Sequence, residues 1–324
     1  MVFDSQGRLW VVERVNHRVQ VFNSAGETQF TLGASVLKNP FGIAIDKDDY
    51  VWVTDTGHHS VHKFKPDNTG TILLTIGKQD KTAGNGTGEF NEPYGVAVDS
   101  AGLIHVVESS NKRVQVFDTN GNFQYAYGGL YYPRGISIVK SKVYVADTNN
   151  RRVAVFNENG AFLSEVKDNG AAETGFYNPR GISMDSEGNL WVADSGNNRV
   201  LKIDSTGKVI KKVTQLLDLP IGVQVDGSDN VWVTSYYNSR IIKYNSSGKL
   251  LKVFDSAGEV FDKLYNPLDM VFHQGNLYLV DRTNDRIVVQ DGQGNTLRTF
   301  GVQGDEPGLI NDPWGIAEIG RAHV

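Results

Sequence analysis

The chain contains no cysteine in its 324 residues. That absence excludes disulfides, thiolate zinc sites and cysteine nucleophiles together. No apolar run approaches the roughly 20 residues that cross a bilayer as a helix, and no stretch sustains a helical period of apolar residues. A membrane-spanning helix is therefore not expected, and neither is an α-helical core. The common catalytic signatures are missing too: there is no G-x-S-x-G elbow, no H-E-x-x-H pair and no G-x-x-x-x-G-K-[ST] loop. Gly84-Asn85-Gly86-Thr87-Gly88 is rich in glycine but opens no helix, so it reads as a linker. Acidic residues outnumber basic ones, 37 to 32. The formal net charge of -5 argues against a broad polyanion-binding face and leaves room only for a local basic patch.

What the chain has in abundance is repetition. A proline, one variable residue and usually a glycine recur at Pro40, Pro93, Pro133, Pro179, Pro220, Pro267 and Pro313, spaced by 53, 40, 46, 41, 47 and 46 residues. Roughly 14 residues after each proline comes an acid followed by Asn and Arg, as in Asp147, Asn150 and Arg152. A period of this size marks a repeat architecture, in which each unit is too small to bury a core and must share one with its neighbours. The unit opened by Pro179 shows the texture. Gly181–Asp185, Leu190–Asp194, Arg199–Asp204 and Lys208–Val213 are four short runs of alternating character, separated by Ser, Glu, Gly, Asn and Thr turns. Four antiparallel strands per unit describe a blade of a β-propeller.

The recurring set NPxGI-x-x-D, G-N-L-W-V-A-D and N-x-R-V resembles the NHL-repeat propellers, and residues 178–204 lie close to a consensus repeat. The resemblance extends over essentially the whole chain. Three units depart from it. Asp55, His58 and Ser60 stand where other units have acid, Asn and Arg; Asp269 replaces the glycine after a proline; Ser235 replaces an acid. The count predicts an all-β propeller of seven four-stranded blades, with six as the alternative. In the seven-blade reading the inner strand at Pro313 joins the outer strands of residues 8–33, so that the two ends of the chain share one blade and leave no open sheet edge. Residues 1–317 are expected to form this single domain. Glu318–Val324 breaks the repeat and matches one reading frame of a common sequencing-library adapter, so it is expected to be a non-native tail on a fragment of a longer protein.

The second strand of each unit (strand B) runs back antiparallel to the first, which starts at the proline (strand A), so the acid loops and the proline openings converge on one face. The residues after each proline, Phe41, Tyr94, Arg134, Arg180, Ile221, Leu268 and Trp314, are expected to ring the channel mouth there. Aromatics and arginines in such a ring suit stacking and charge-assisted contacts, which makes Phe41, Tyr94, Arg134, Arg180 and Trp314 the candidate partner-binding residues. The alternative is that they pack each loop against the next blade. The acids Glu13, Asp55, Glu108, Asp147, Asp194 and Asp281 come with their own Asn and Arg, except at Asp55, and read as self-satisfying turns rather than cation ligands. Trp10, Trp52, Trp191 and Trp232 share one position in strand B and read as core.

The resemblance implies two classes of function. NHL domains of tripartite-motif ubiquitin ligases recognise protein or RNA at the mouth, with the RNA binders carrying a strongly basic one. Peptidyl-amidoglycolate lyases place zinc-binding histidines after the proline of several repeats; here that position never holds histidine, and His17, His58, His59, His62, His105, His273 and His323 form no equivalent ring. Streptogramin-type lyases and lactonase-like propellers are further enzymatic relatives in fold. The expectation is a non-catalytic scaffold that binds a protein or peptide, with RNA as the alternative partner, no DNA, no membrane, no cofactor and no metal. A metal-dependent lyase or lactonase is the enzymatic alternative.

Overall fold

A computed structural model describes residues 1–166, 175–254 and 263–314. These residues form seven antiparallel sheets of four short strands each, the first of them joined by a fifth, and the only helical elements among them are single 3-10 turns. Blade 1 comprises Val2–Phe3, Leu9–Glu13, Arg18–Phe22 and Thr28–Leu32. Blades 2 to 7 open at Pro40–Ile45, Pro93–Val98, Pro133–Val139, Pro179–Met184, Pro220–Val225 and Pro267–His273. The chain is thus a seven-bladed propeller, not the six-bladed alternative. The expected tail, Glu318–Val324, lies outside the described residues.

The local sequence explains each hairpin. In blade 5 the Asp185–Asn189 turn closes when Asp185 N–H donates to the Asn189 carbonyl (2.9 Å) and Gly188 N–H donates to the Asp185 carbonyl (3.0 Å). Gly188 sits at φ +86, a left-handed conformation that a Cβ disfavours. The glycine after the proline has a different reason. A Cβ on Gly181 would lie 2.4 Å from the Ile221 carbonyl oxygen, so glycine lets the inner strands of blades 5 and 6 approach.

No blade holds its own core. Trp191, Ala193 and Val200 of blade 5 pack with Val223, Val231 and Val233 of blade 6 in one buried cluster, and the other clusters likewise join consecutive blades. Trp10, Trp52, Trp191 and Trp232 are fully buried at these seams. Three indoles donate to the aspartate that opens the preceding hairpin: Trp10 to Asp4 at 2.8 Å, Trp52 to Asp46 at 3.0 Å and Trp232 to Asp226 at 2.9 Å. Asp185, the corresponding acid for Trp191, is taken instead by Lys202 (3.0 Å) and Asn189.

Both ends of the chain meet blade 1. Val2 and Phe3 pair with Trp10 and Leu9, while Pro313 and Trp314 pair with Glu13 and Val12 further along the same strand. The segment after blade 7 is tied in as well, because Arg18 donates to the carbonyls of Glu306 (3.1 Å) and Leu309 (2.7 Å).

Candidate functional site at the channel mouth

The strand register places the two recurring motifs side by side. Pro40 pairs with Asp55, Pro93 with Glu108, Pro133 with Asp147, Pro179 with Asp194, Pro220 with Ser235, Pro267 with Asp281 and Pro313 with Glu13. The proline openings and the acid loops therefore share one face.

The acids are fully consumed within the scaffold. Asp194 accepts from Arg199 Nε (2.5 Å), Asn197 Nδ2 (2.8 Å) and the Tyr177 N–H (2.6 Å). Asp147 and Asp281 repeat this set with Arg152, Asn150 and Tyr131, and with Arg286, Asn284 and Tyr265. Glu13 and Glu108 add a glutamine, Gln20 or Gln115. Each carboxylate is buried and joins its own loop to the approach of the inner strand. Burial pushes the carboxyls of Glu13, Glu108, Asp194 and Asp281 upward, and their arginine, asparagine and backbone donors partly offset it. In blade 2, His58 Nδ1 (2.9 Å) and His62 Nε2 (3.3 Å) lie on Asp55 in place of the missing arginine and asparagine. Among the described residues no group of three or more His, Asp or Glu is placed to hold a metal ion.

The residues after the prolines are not alike. Phe41, Ile221 and Leu268 are buried, at 5%, 5% and 2% exposure, and present no face to solvent. Tyr94, Arg180 and Trp314 are partly exposed and Arg134 is exposed. Four of the five candidates form a continuous arc. Trp314 packs on Phe41 (centroids 5.3 Å apart), Phe41 meets Tyr94 edge-on (4.6 Å), and the Arg134 guanidinium lies 5.5 Å over the Tyr94 ring. Phe41 is the buried support of this arc, holding Trp314 and Tyr94 from below. Arg180 stands next along, and its desolvation, with the positive charges of Arg134 and Arg282 adding to it, holds its basicity below the usual arginine range.

A second set of mouth residues is not foreseen from the proline motif. The residue after each acid is Thr56, Ser109, Thr148 or Ser195 in four consecutive units. Three of these hydroxyls tie their blade to the next proline carbonyl: Thr56 to Pro93 (2.6 Å), Ser109 to Pro133 (2.5 Å) and Ser195 to Pro220 (2.5 Å). In blades 6, 7 and 1 the same position is Tyr236, Arg282 and Arg14. Arg282 donates to Asp312 (2.5 Å) and Tyr236 Oη (2.9 Å) and lies 4.6 Å over Trp314, which also has the Arg14 guanidinium 5.3 Å from its ring. Three adjacent departures from a small hydroxyl residue are the sequence signal that would have found them.

Comparisons with known proteins fit this fold. A profile described as "NHL repeat" matches residues 37–64 and 90–117, and one described as "6-bladed beta-propeller" matches residues 130–271, although seven sheets are present here. Protein brain tumor of Drosophila melanogaster is 29% identical over 132 residues, covering 39% of this chain and 12% of that protein. A probable peptidyl-alpha-hydroxyglycine alpha-amidating lyase of Caenorhabditis elegans is 36% identical over 91 residues, 28% of this chain and 25% of the lyase. NHL repeat-containing protein 3 of Homo sapiens is 29% identical over 124 residues, 38% of this chain and 35% of that protein. The matched stretches thus span only a minor part of these relatives. Among solved structures, virginiamycin B lyase of Staphylococcus aureus superposes with a TM-score of 0.70 at 16% identity, over 86% of this chain and 89% of the lyase, a likeness of fold. The repeats, their register and these matches make the chain a seven-bladed β-propeller that carries NHL repeats at residues 37–64 and 90–117.

Proposed function

We propose that this propeller is a binding scaffold that recognises a protein or peptide partner at its channel-mouth face. The observation that carries this reading is the arc of Trp314, Tyr94, Arg134 and Arg180 around one opening, flanked by Arg14 and Arg282. Tryptophan, tyrosine and arginine are the residue types in which interface binding energy concentrates. The scaffold does not require them, because the same repeat positions accept phenylalanine, isoleucine and leucine elsewhere in the ring.

The test is capture of partners from a matched lysate by the wild-type propeller and by the R134A/R180A variant, with and without nuclease, followed by reconstitution with the purified partner. A protein that survives nuclease, binds directly when purified and is lost by the variant supports the reading. A partner released by nuclease moves RNA to first place. If the variant loses nothing, the mouth reading fails, and metal analysis of the purified protein then tests the lyase or lactonase alternative, which needs a stoichiometric ion.

A further inference from the structure

We propose that the partner presents a carboxylate-rich segment: Arg134 and Arg180 receive its carboxylates, and a belt of exposed tyrosines on the surrounding loops carries its flanking residues. This rests on the protein-recognition reading above and specifies what is recognised.

The first observation is a charge without a counter-charge. Among the described residues no carboxylate pairs with Arg134 or Arg180, although every other recurring arginine on this face serves a buried acid of its own loop or, in blade 6, follows the serine that replaces one. Arg180 is partly desolvated and feels Arg134 and Arg282 as repulsive neighbours. Asp312, the carboxylate beside Arg282, is engaged by Arg282 and by the Trp314 indole (3.0 Å), and Asp285 accepts from the Asp312 N–H (2.7 Å). A partly buried cation held among cations is an unfavourable arrangement that a bound carboxylate relieves, and guanidinium forks match carboxylates in two parallel hydrogen bonds.

The second observation is independent of charge. Of the 13 tyrosines, the five exposed ones are Tyr131, Tyr132, Tyr177, Tyr237 and Tyr265, and all lie on loops of the mouth face in blades 4 to 7. Tyr131, Tyr177 and Tyr265 occupy one repeat position, two residues before the proline, where the backbone N–H binds the buried acid and the ring is left outside. Other units place Lys38, Asn91, Asp218 or Asn311 there, so the fold has no need of a tyrosine. Four of the five rings are held in place: Tyr132 packs edge-on against Tyr131 (5.3 Å), Tyr237 against Tyr236 (5.4 Å), and Lys112 and Arg151 lie over Tyr131 and Tyr177 at 4.7 and 5.4 Å. Rigid tyrosines offer large contact area at low entropic cost, as binding surfaces do.

A short acidic segment fits better than a continuous polyanion. The arginines form one cluster on a chain of net charge -5, whereas a nucleic-acid backbone is tracked by an extended basic stripe.

The experiment pans a random dodecapeptide display library on the full chain, on R134A/R180A and on the charge-reversed R134E/R180E, each checked for an unchanged melting temperature. If the alanine variant melts early, R134Q/R180Q replaces it. The expected result is enrichment of Asp and Glu on the wild type, about tenfold or greater loss of affinity for those peptides in the alanine variant, and a switch to Lys- and Arg-rich peptides on the reversed one. Removal of two rings in Y237A/Y265A lowers affinity severalfold without altering the acidic preference. Peptides without acidic enrichment that still depend on Arg134 and Arg180 overturn this inference and leave the mouth reading standing. Peptides indifferent to the arginines, or no enrichment at all, overturn both. Labelled oligouridine that binds more tightly than every selected peptide, and is lost in R134A/R180A, overturns it in favour of RNA.

Discussion

Two arginines of blade 5, Arg180 and Arg199, stand on the same face of the propeller and live in opposite circumstances. Arg199 is buried at 4% exposure against Asp194, with a hydrogen bond of 2.5 Å, and Arg18, Arg113, Arg152 and Arg286 likewise pair with the acids of their own blades. Arg180 is partly exposed, has no carboxylate partner among the described residues, and sits beside two further guanidiniums. The difference separates scaffold from recognition. Where a residue type recurs with its partner, the pair holds a loop to an inner strand; where it occurs without one, its charge is left for something outside the fold.

The largest expected effect falls at the seams on which both arginines depend. Trp191→Ala removes a fully buried indole between blades 5 and 6 and is expected to cost about 4 kcal/mol in urea unfolding; a near-native midpoint would show that the seam does not rely on it. Arg199→Ala follows, at about 3 kcal/mol near neutral pH, because it strips a buried carboxylate of its cation. Its pH dependence carries a sign. Burial already raises the Asp194 carboxyl, so the folded state holds that proton to higher pH than the unfolded chain, and stability contributed by the protonated form is lost as pH rises through the raised value. Without Arg199 the carboxyl rises further. The deficit of the variant should therefore shrink on acidification through that range, and a deficit that is constant or grows toward low pH would contradict the assignment.

Smaller effects sharpen the other side of the comparison. R134A/R180A is expected to leave the unfolding midpoint nearly unchanged, since relief of repulsion at Arg180 offsets the lost contact of Arg134 with the Tyr94 ring, while partner affinity falls by about tenfold or more, as expected for charge-assisted hydrogen bonds. Tyr237→Ala, at a ring 66% exposed, is expected to change stability by less than about 0.5 kcal/mol and to weaken partner binding severalfold. Equal affinity in an assay with the purified partner would remove Tyr237 from the contact surface.

Most of the scaffold is legible in the sequence because each of its devices repeats. The proline openings give the period, the tryptophans at one strand position give the seams, and the acid with its Asn and Arg gives the turn that satisfies itself. The mouth is less legible. Repeat alignment assigns Phe41, Ile221 and Leu268 to the same position as Arg134, yet their side chains are buried where inner strands converge, and only the polar or larger members of the set reach solvent. Arg14, Tyr236 and Arg282 escape a reading centred on the proline, because they enter the mouth from the strand B loop. Their signal is an interruption of a Ser/Thr series, which carries meaning only once the hydroxyl-to-carbonyl bonds between blades are known. The exposed tyrosines are hidden for a related reason: sequence gives their position before the proline but not that the backbone, rather than the ring, faces the buried acid.

Equilibrium unfolding of R180A and R199A side by side distinguishes an Arg180 given to recognition from an Arg199 given to the scaffold. R199A is expected to lose about 3 kcal/mol, as for a broken buried pair, and R180A none. A loss in R180A as large as that in R199A would make Arg180 a structural residue and remove the charge on which the proposed recognition rests.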